Sequence, residues 1–328
     1  MFSRPADLTD DEVRDALASA WGLRVSSLEY AAVGFGSHHW RVVADGARWF
    51  VTVDDLTAKR HGVDEPLEGP LGRLAASLTT ARTLRDAGME FVVAPVPTTG
   101  GDVVHRLTVR YAIALHPHVE GRIHSWGPYE SPAERSAVVA LLAQLHHAPA
   151  GCRARCRVDD LTVPRLDELM RLLEVAGDDG GPWTGGPFSE QLRLLLGARR
   201  GEVLDLVARH TTLAAAQRSA QERWVLTHGE PHRANTVTTA SGTVLVDWDT
   251  LLVAPPERDL WRLVAEDAKV AAEYTALTGV RLDPEALELY GLAWDLGDIA
   301  IYASDLHAAH TDTEDVRTAW RSLDGYLS

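Results

Sequence analysis

Residues 227–236 read THGEPHRANT, and within those ten positions stand a histidine (His228), a carboxylate (Glu230) and an amide (Asn235). The strand-like RWVLT before the loop and NTVTT after it make this a tight connection between two short strands. Phosphoryl transfer needs an acceptor for the attacking hydroxyl's proton and an oxygen ligand for Mg2+ on the phosphates, and a carboxylate and an amide on one loop provide both. Twelve residues beyond Asn235, VLVDWDT (244–250) puts Asp247 at the end of an apolar strand. A carboxylate there is costly to bury without a partner, and a divalent ion is its natural one. Either piece alone would serve as a capped turn; a hairpin turning at Ser241-Gly242 joins them.

A third piece lies far upstream. VGFGSHHWRV (33–42) sets Gly34 and Gly36 between two strand-like runs, so the chain can bend closely over a ligand and offer backbone N–H groups to phosphates. It is not a dinucleotide fingerprint, because His39 stands where the third glycine belongs and a strand follows where a helix should. By itself it reads as a hairpin turn.

The first third of the chain is strand-rich. LEYAAVGFG, HWRVVAD and ARWFVTVDD are β-branched and aromatic runs, with Asp45-Gly46 as a two-residue hairpin between the last two. LGRLAASLTTARTLRDAG (71–88) carries Leu71, Leu74, Ala75, Leu78, Ala81 and Leu84 on one helical face. MEFVVAPV and VHRLTVRYAIAL then flank a PTTGGD turn, which brings the expectation to five strands and one inserted helix. From Pro117 the pattern turns helical. Ser131-Pro132-Ala133-Glu134 is a helix start with a capping box, residues 176–188 form a Gly/Pro-rich loop, and further helices fill 189–220 and 284–327.

Composition bounds the function. The 328 residues, 45% apolar, suffice for a large core in one domain or two lobes. Without a run of 18 apolar residues or a signal-like N-terminus, the expectation is a cytoplasmic protein with no membrane association. Cys152 and Cys156 are expected to be reduced thiols. A net charge of −15 argues against nucleic acid and favours a cationic ligand. Residues 1–122 hold 13 Lys and Arg against 16 Asp and Glu, leaving 19 against 31 for the remainder, so the second part is where a small cation would be drawn.

The run THGEPHRANTVTTASGTVLVDWDTLLVAPPERDLWRL resembles the catalytic core of the aminoglycoside phosphotransferase family, with looser likeness in the strand-rich start, LLAQLHHA and LHPHVEG. The resemblance implies an α+β, two-lobed, protein-kinase-like fold. A small five-stranded antiparallel lobe with one helix (1–116) would bind nucleotide, a hinge (117–121) would follow, and a larger, mainly helical lobe (122–328) would hold the catalytic and acceptor sites. It implies Mg2+-dependent transfer from ATP or GTP to a hydroxyl of a small cationic molecule such as an aminoglycoside or related antibiotic. Glu230 takes the place of the catalytic aspartate, with His228 as a structural member of its loop. Asn235 and Asp247 are the metal ligands. Asp259 is a structural anchor, and Gly34, Gly36, Ser37, His38, Thr52, His116 and His118 form the nucleotide side. Asp249, Glu257, Asp160 and Glu168 are expected to line the acceptor, Asp249 with the alternative of a second metal ligand.

Two departures stand out. The catalytic carboxylate is a glutamate, one methylene longer than the family's aspartate. Thr52 stands where a third-strand lysine should clamp the phosphates, and helix 71–88 has no interior glutamate to pair with one. The chain has only two lysines, Lys59 and Lys269. Lys59 lies seven residues past Thr52, about 23 Å along an extended strand, so it would substitute only if the chain folds back sharply. His38, His39 and Arg41 are the other candidates. A non-catalytic nucleotide- or ligand-binding protein is the alternative function; a Ser/His/Asp hydrolase lacks its nucleophile-elbow sequence.

Overall fold

The computed structural model describes residues 3–34, 36–177 and 181–328. Phe35 of the glycine turn and residues 178–180 of the Gly/Pro-rich loop lie outside them.

The chain opens with a helix, α1 (Asp10–Trp21), which the sequence reading omits although its start is written in Thr9-x-x-Glu12. The Thr9 hydroxyl accepts from the Glu12 N–H, and the Glu12 carboxylate accepts from the Thr9 N–H. Strands β1 (Val25–Ala31), β2 (Ser37–Ala44) and β3 (Ala47–Asp55) follow as antiparallel neighbours. After α2 (Glu68–Asp86), β4 (His105–Arg106) and β5 (Tyr111–Pro117) complete a five-stranded sheet of order β1-β2-β3-β5-β4. The strand count agrees with expectation but its membership differs. VHRLTVRYAIAL is two strands and a turn, while MEFVVAPV makes only an isolated bridge, Val92 to Leu245.

Strand alternation divides the sheet into two faces. Trp40, Val42, Val51, Val53, Tyr111, Ile113 and Leu115 pack beneath α1. The opposite face carries Ser37, His39, Thr52 and Asp54, with the pairs Ser37–Asp54 and His39–Thr52 in register. α2 buries Leu74, Leu78, Ala81 and Leu84 in a core shared with Trp248, Leu251 and Leu260 from the helical part, and the Ser77 hydroxyl donates to Leu251 O at 3.0 Å.

Beyond β5, β6 (Arg122–Ile123) joins β8 (Thr236–Thr239) and β9 (Gly242–Leu245), and β7 (Val225–Thr227) pairs with β10 (Leu252–Ala254). The helices are α3 (Pro132–His146), α4 (Leu166–Val175), α5 (Ser189–Gln217), α6 (Glu257–Glu266), α7 (Lys269–Thr278), α8 (Pro284–His307) and α9 (Glu314–Leu327). α4, α5, α8 and α9 enclose a second core around Leu169, Leu196, Leu296 and Ile299. The described part of the Gly/Pro-rich loop rests on the end of this bundle, with Trp183 against His307 and Phe188 against His310. Among the described residues no helix is long and apolar enough to cross a membrane.

Candidate active site

β7 delivers His228, Gly229 and Glu230 to the loop, and Asp259 at the start of α6 holds them. One Asp259 oxygen accepts from the Gly229 N–H (2.6 Å); the other accepts from the His228 N–H (2.9 Å) and His146 Nε2 (3.1 Å). His146 is fixed in turn by the Tyr274 hydroxyl at its Nδ1. Burial opposes the charge on Asp259, but these partners outweigh it and hold the carboxyl below its ordinary range. Gly229 sits at φ +100°, and a Cβ there would fall 2.5 Å from the Arg258 guanidinium. The His228 ring donates through Nε2 to Val246 O (2.9 Å) and accepts at Nδ1 from the Glu230 N–H (3.2 Å). It therefore staples the Glu230 loop to the strand end that carries Asp247 and, buried, is kept neutral.

The Asn235 side-chain amide donates to Glu230 O, and the Val246 N–H donates to Asn235 O. Asp247 adopts φ +66°, a left-handed conformation that aspartate tolerates better than most side chains. Trp248 next to it is buried against α2, so Asp247 and Asp249 flank an anchored ring. The Asp247 side chain is exposed at the strand end and not buried as its place after an apolar strand suggested; the desolvating protein around it, then the charges of Asp249 and Glu230, push its carboxyl well up. Burial acts on Asp249 as well, but Lys59 overrides it and holds that carboxyl down.

Lys59 does fold back. Its Nζ lies 2.6 Å from Asp249 Oδ2 and 3.1 Å from Asp54 Oδ1, and Asp54 also accepts the Ser37 hydroxyl at 2.6 Å. The loop that carries it is cross-braced. Arg73 of α2 donates to Lys59 O and pairs with Glu65, while Arg165, just before α4, donates from its guanidinium to Ala58 O and from its backbone N–H to His61 O.

The other nucleotide-side candidates separate. Ser37, Thr52 and the half-buried side chain of His116 share the sheet face toward Asp54. His38 lies on the α1 face, bonded to the Tyr30 hydroxyl, because it has the parity of Trp40 and Val42. His39 stacks on Phe50 and bonds Val33 O, and burial lowers it to about 4, so at neutral pH it is no cation. The His118 N–H is directed back to Arg48 O at 3.4 Å. Gly34 and Gly36 both take positive φ, +69° and +87°, as a tight turn requires.

The expected acceptor acids do not converge. Glu257 is buried beneath Arg223 and the Asp283 N–H. Asp160 caps its own turn through Thr162, Glu168 accepts the Ser304 hydroxyl, and Asp249 belongs with Lys59. Glu230 opens instead onto a cleft lined by Tyr129, His232, Trp261, Arg262 and Trp294. Trp126 stacks on Trp294 at 5.9 Å and lies beneath the Arg262 guanidinium. One helical turn beyond Trp294, Asp298 is pushed up to about 6 by burial, with Tyr326 donating to it and Glu230 adding to its burden. The sequence signal for this wall was WDLGD on α8.

A carboxylate-and-amide loop bonded to a strand end that carries a carboxylate, with a lysine joining that strand end to the five-stranded sheet, is the arrangement expected of a kinase-like phosphotransferase. The chain belongs to the phosphotransferase enzyme family, which it matches over residues 27–295, and it acts on hydroxyl acceptors. It is 30% identical to Protein StrN of Streptomyces griseus over 260 residues, 78% of this chain and 77% of that one. Its fold is similar to spectinomycin phosphotransferase APH(9)-Ia in complex with ADP and spectinomycin (TM-score 0.73, 15% identity, 97% and 94% covered). A microcompartment-associated aminopropanol kinase is also similar (TM-score 0.58, 16% identity, 97% and 95% covered). The family implies a nucleotide donor and a small-molecule acceptor.

Proposed function

We propose that this chain transfers the γ-phosphoryl group of ATP or GTP, with Mg2+, to a hydroxyl of a small cationic molecule, an aminoglycoside or related antibiotic. The observation that carries this reading is the single hydrogen-bonded unit joining Glu230, Asn235 and the Asp247 strand end through His228 and Asp259.

The donor set suits the metal. Among the described residues no three His, Cys, Asp or Glu side chains converge on one point. Mg2+ suits such a site because it takes one or two protein oxygens and completes its shell with phosphates and water. Asp247 and the Asn235 oxygen would hold it, and when bound it would neutralise charge on the transferring group. Glu230 would accept the acceptor hydroxyl's proton, its longer arm reaching a hydroxyl seated slightly further from the loop. The aromatic cleft, with Asp295 and Asp298 on the α8 side, would receive the cation. The relatives named for spectinomycin and aminopropanol are consistent with a small acceptor. With its acidic balance, the chain fits a cytoplasmic enzyme that has no nucleic-acid partner.

The test is a turnover screen with Mg·ATP and Mg·GTP against aminoglycosides and other amine-bearing antibiotics, read as addition of a phosphoryl group by mass. Activity that Asp247→Asn abolishes supports the reading. No turnover, combined with nucleotide-dependent stabilisation, would favour the non-catalytic binding protein.

A further inference from the structure

Thr52 has no basic group, yet the inner face of the sheet does hold one cation at the strand-end carboxylates, and it comes from the loop after β3. We propose that Lys59 is the residue that binds the phosphates of the donor nucleotide, having moved from the strand to a braced loop. The inference rests on the phosphotransferase reading above and assigns one side chain within it.

Four observations carry it. Lys59 Nζ bridges Asp54 of the sheet and Asp249 of the strand end, so it sits between the two walls that a nucleotide's phosphates would have to span. An ammonium has three donors; two point to those carboxylates, which leaves one for a phosphate oxygen. Asp54 also accepts from Ser37, the first residue after the glycine turn, so the lysine and that turn are linked by one carboxylate. Finally, the loop is pinned by Arg73 to α2 and by Arg165 to the start of α4, which fixes the ammonium without any pairing glutamate inside α2. That explains why helix 68–86 needs none. The competing candidates fail on position or charge: His38 is on the other face, His39 is neutral, and Arg41, although it shares the face of Ser37, is exposed four residues further along β2, between Glu29 and Phe50 and away from Asp54.

The experiment compares Mg·ADP with adenosine, and Mg·GDP with guanosine, by calorimetry on the parent and on Lys59→Met. A charge-assisted contact to phosphate is worth about 10- to 100-fold in affinity. Lys59→Met should weaken the diphosphate by that factor and leave the nucleoside within about twofold. Equal loss for both ligands, or no loss, overturns the inference. Should Lys59→Met fail to fold, the parent itself supplies the answer. With only two lysines, 15N-lysine labelling gives two Nζ signals, and exposed Lys269 is the internal control. Mg·ADP or Mg·GDP should shift the Lys59 signal while the nucleoside does not, and a Lys59 signal that ignores the bound diphosphate overturns the inference. If the parent binds neither diphosphate, the donor reading falls and takes this inference with it. Binding with a silent Lys59 removes the inference alone.

Discussion

The Asn235 side-chain amide donates to the backbone carbonyl of Glu230 at 3.0 Å, so the amide proposed for the metal and the carboxylate proposed for the acceptor are set by one bond inside one loop. Displacing either residue displaces the other. Glu230→Gln keeps length and shape but cannot take a proton, and should cut kcat by about 10² to 10⁴-fold with nucleotide affinity unchanged. Glu230→Asp shortens the arm by one methylene and should lower turnover by up to about 10²-fold. An Asp variant faster than the parent in steady-state assay would show that the glutamate is a handicap.

Asp259 is expected to matter for stability more than for chemistry. Asp259→Ala leaves the His228 and Gly229 N–H groups and His146 without their buried acceptor, which should cost about 3–5 kcal/mol. Urea unfolding measures this directly, and a loss under about 1 kcal/mol would contradict the anchoring role.

Gly229→Ala should be harmful for two separable reasons. A side chain at φ +100° is strained, and its Cβ would meet the guanidinium that bonds Thr227 and Thr250. If the contact dominates, Gly229→Ala combined with Arg258→Ala should recover part of the lost melting temperature. Strict additivity of the two losses would rule that explanation out.

Asp298 supplies a pH test. Its folded carboxyl is raised to about 6, so folding favours the proton, and the cost of burying the charge appears as pH rises from about 4 through 6. Asp298→Asn should therefore stabilise the protein by up to about 2 kcal/mol above pH 7 and by nothing near pH 4. A variant that melts with the parent at both pH values would disprove the burial.

Local signals with short reach were readable from the chain: the hairpin at Asp45-Gly46, the face of α2, the start of α3, and the loop and strand end that frame Glu230 and Asp247. Relationships that depend on how distant segments meet were not. Lys59 and Asp249 are 190 positions apart, and only the back-folded loop joins them. Glu257 and Glu168 looked like exposed acids until Arg223 and Ser304 met them from other helices. His38 reads as a ligand-side residue because the strand's parity cannot be oriented until its other face is covered. That cover is α1, whose start is legible in Thr9-x-x-Glu12. MEFVVAPV has the composition of a strand, yet it has only the single bridge to Leu245.

The loop at residues 56–65 hangs from the sheet at one end and is bolted by two arginines to α2 and α4. A tilt of the sheet over a bound nucleotide would therefore pivot about this loop and leave Lys59 standing beside Asp249. In mechanical language the ammonium sits at the joint between stator and rotor, held to Asp249 on one side and, on the other, to Asp54, which also takes the Ser37 hydroxyl. Amide exchange should bear that signature, with residues 56–65 as slow as α4 when β1 and β2 are quickened; exchange in step with β2 would show that the loop travels with the sheet.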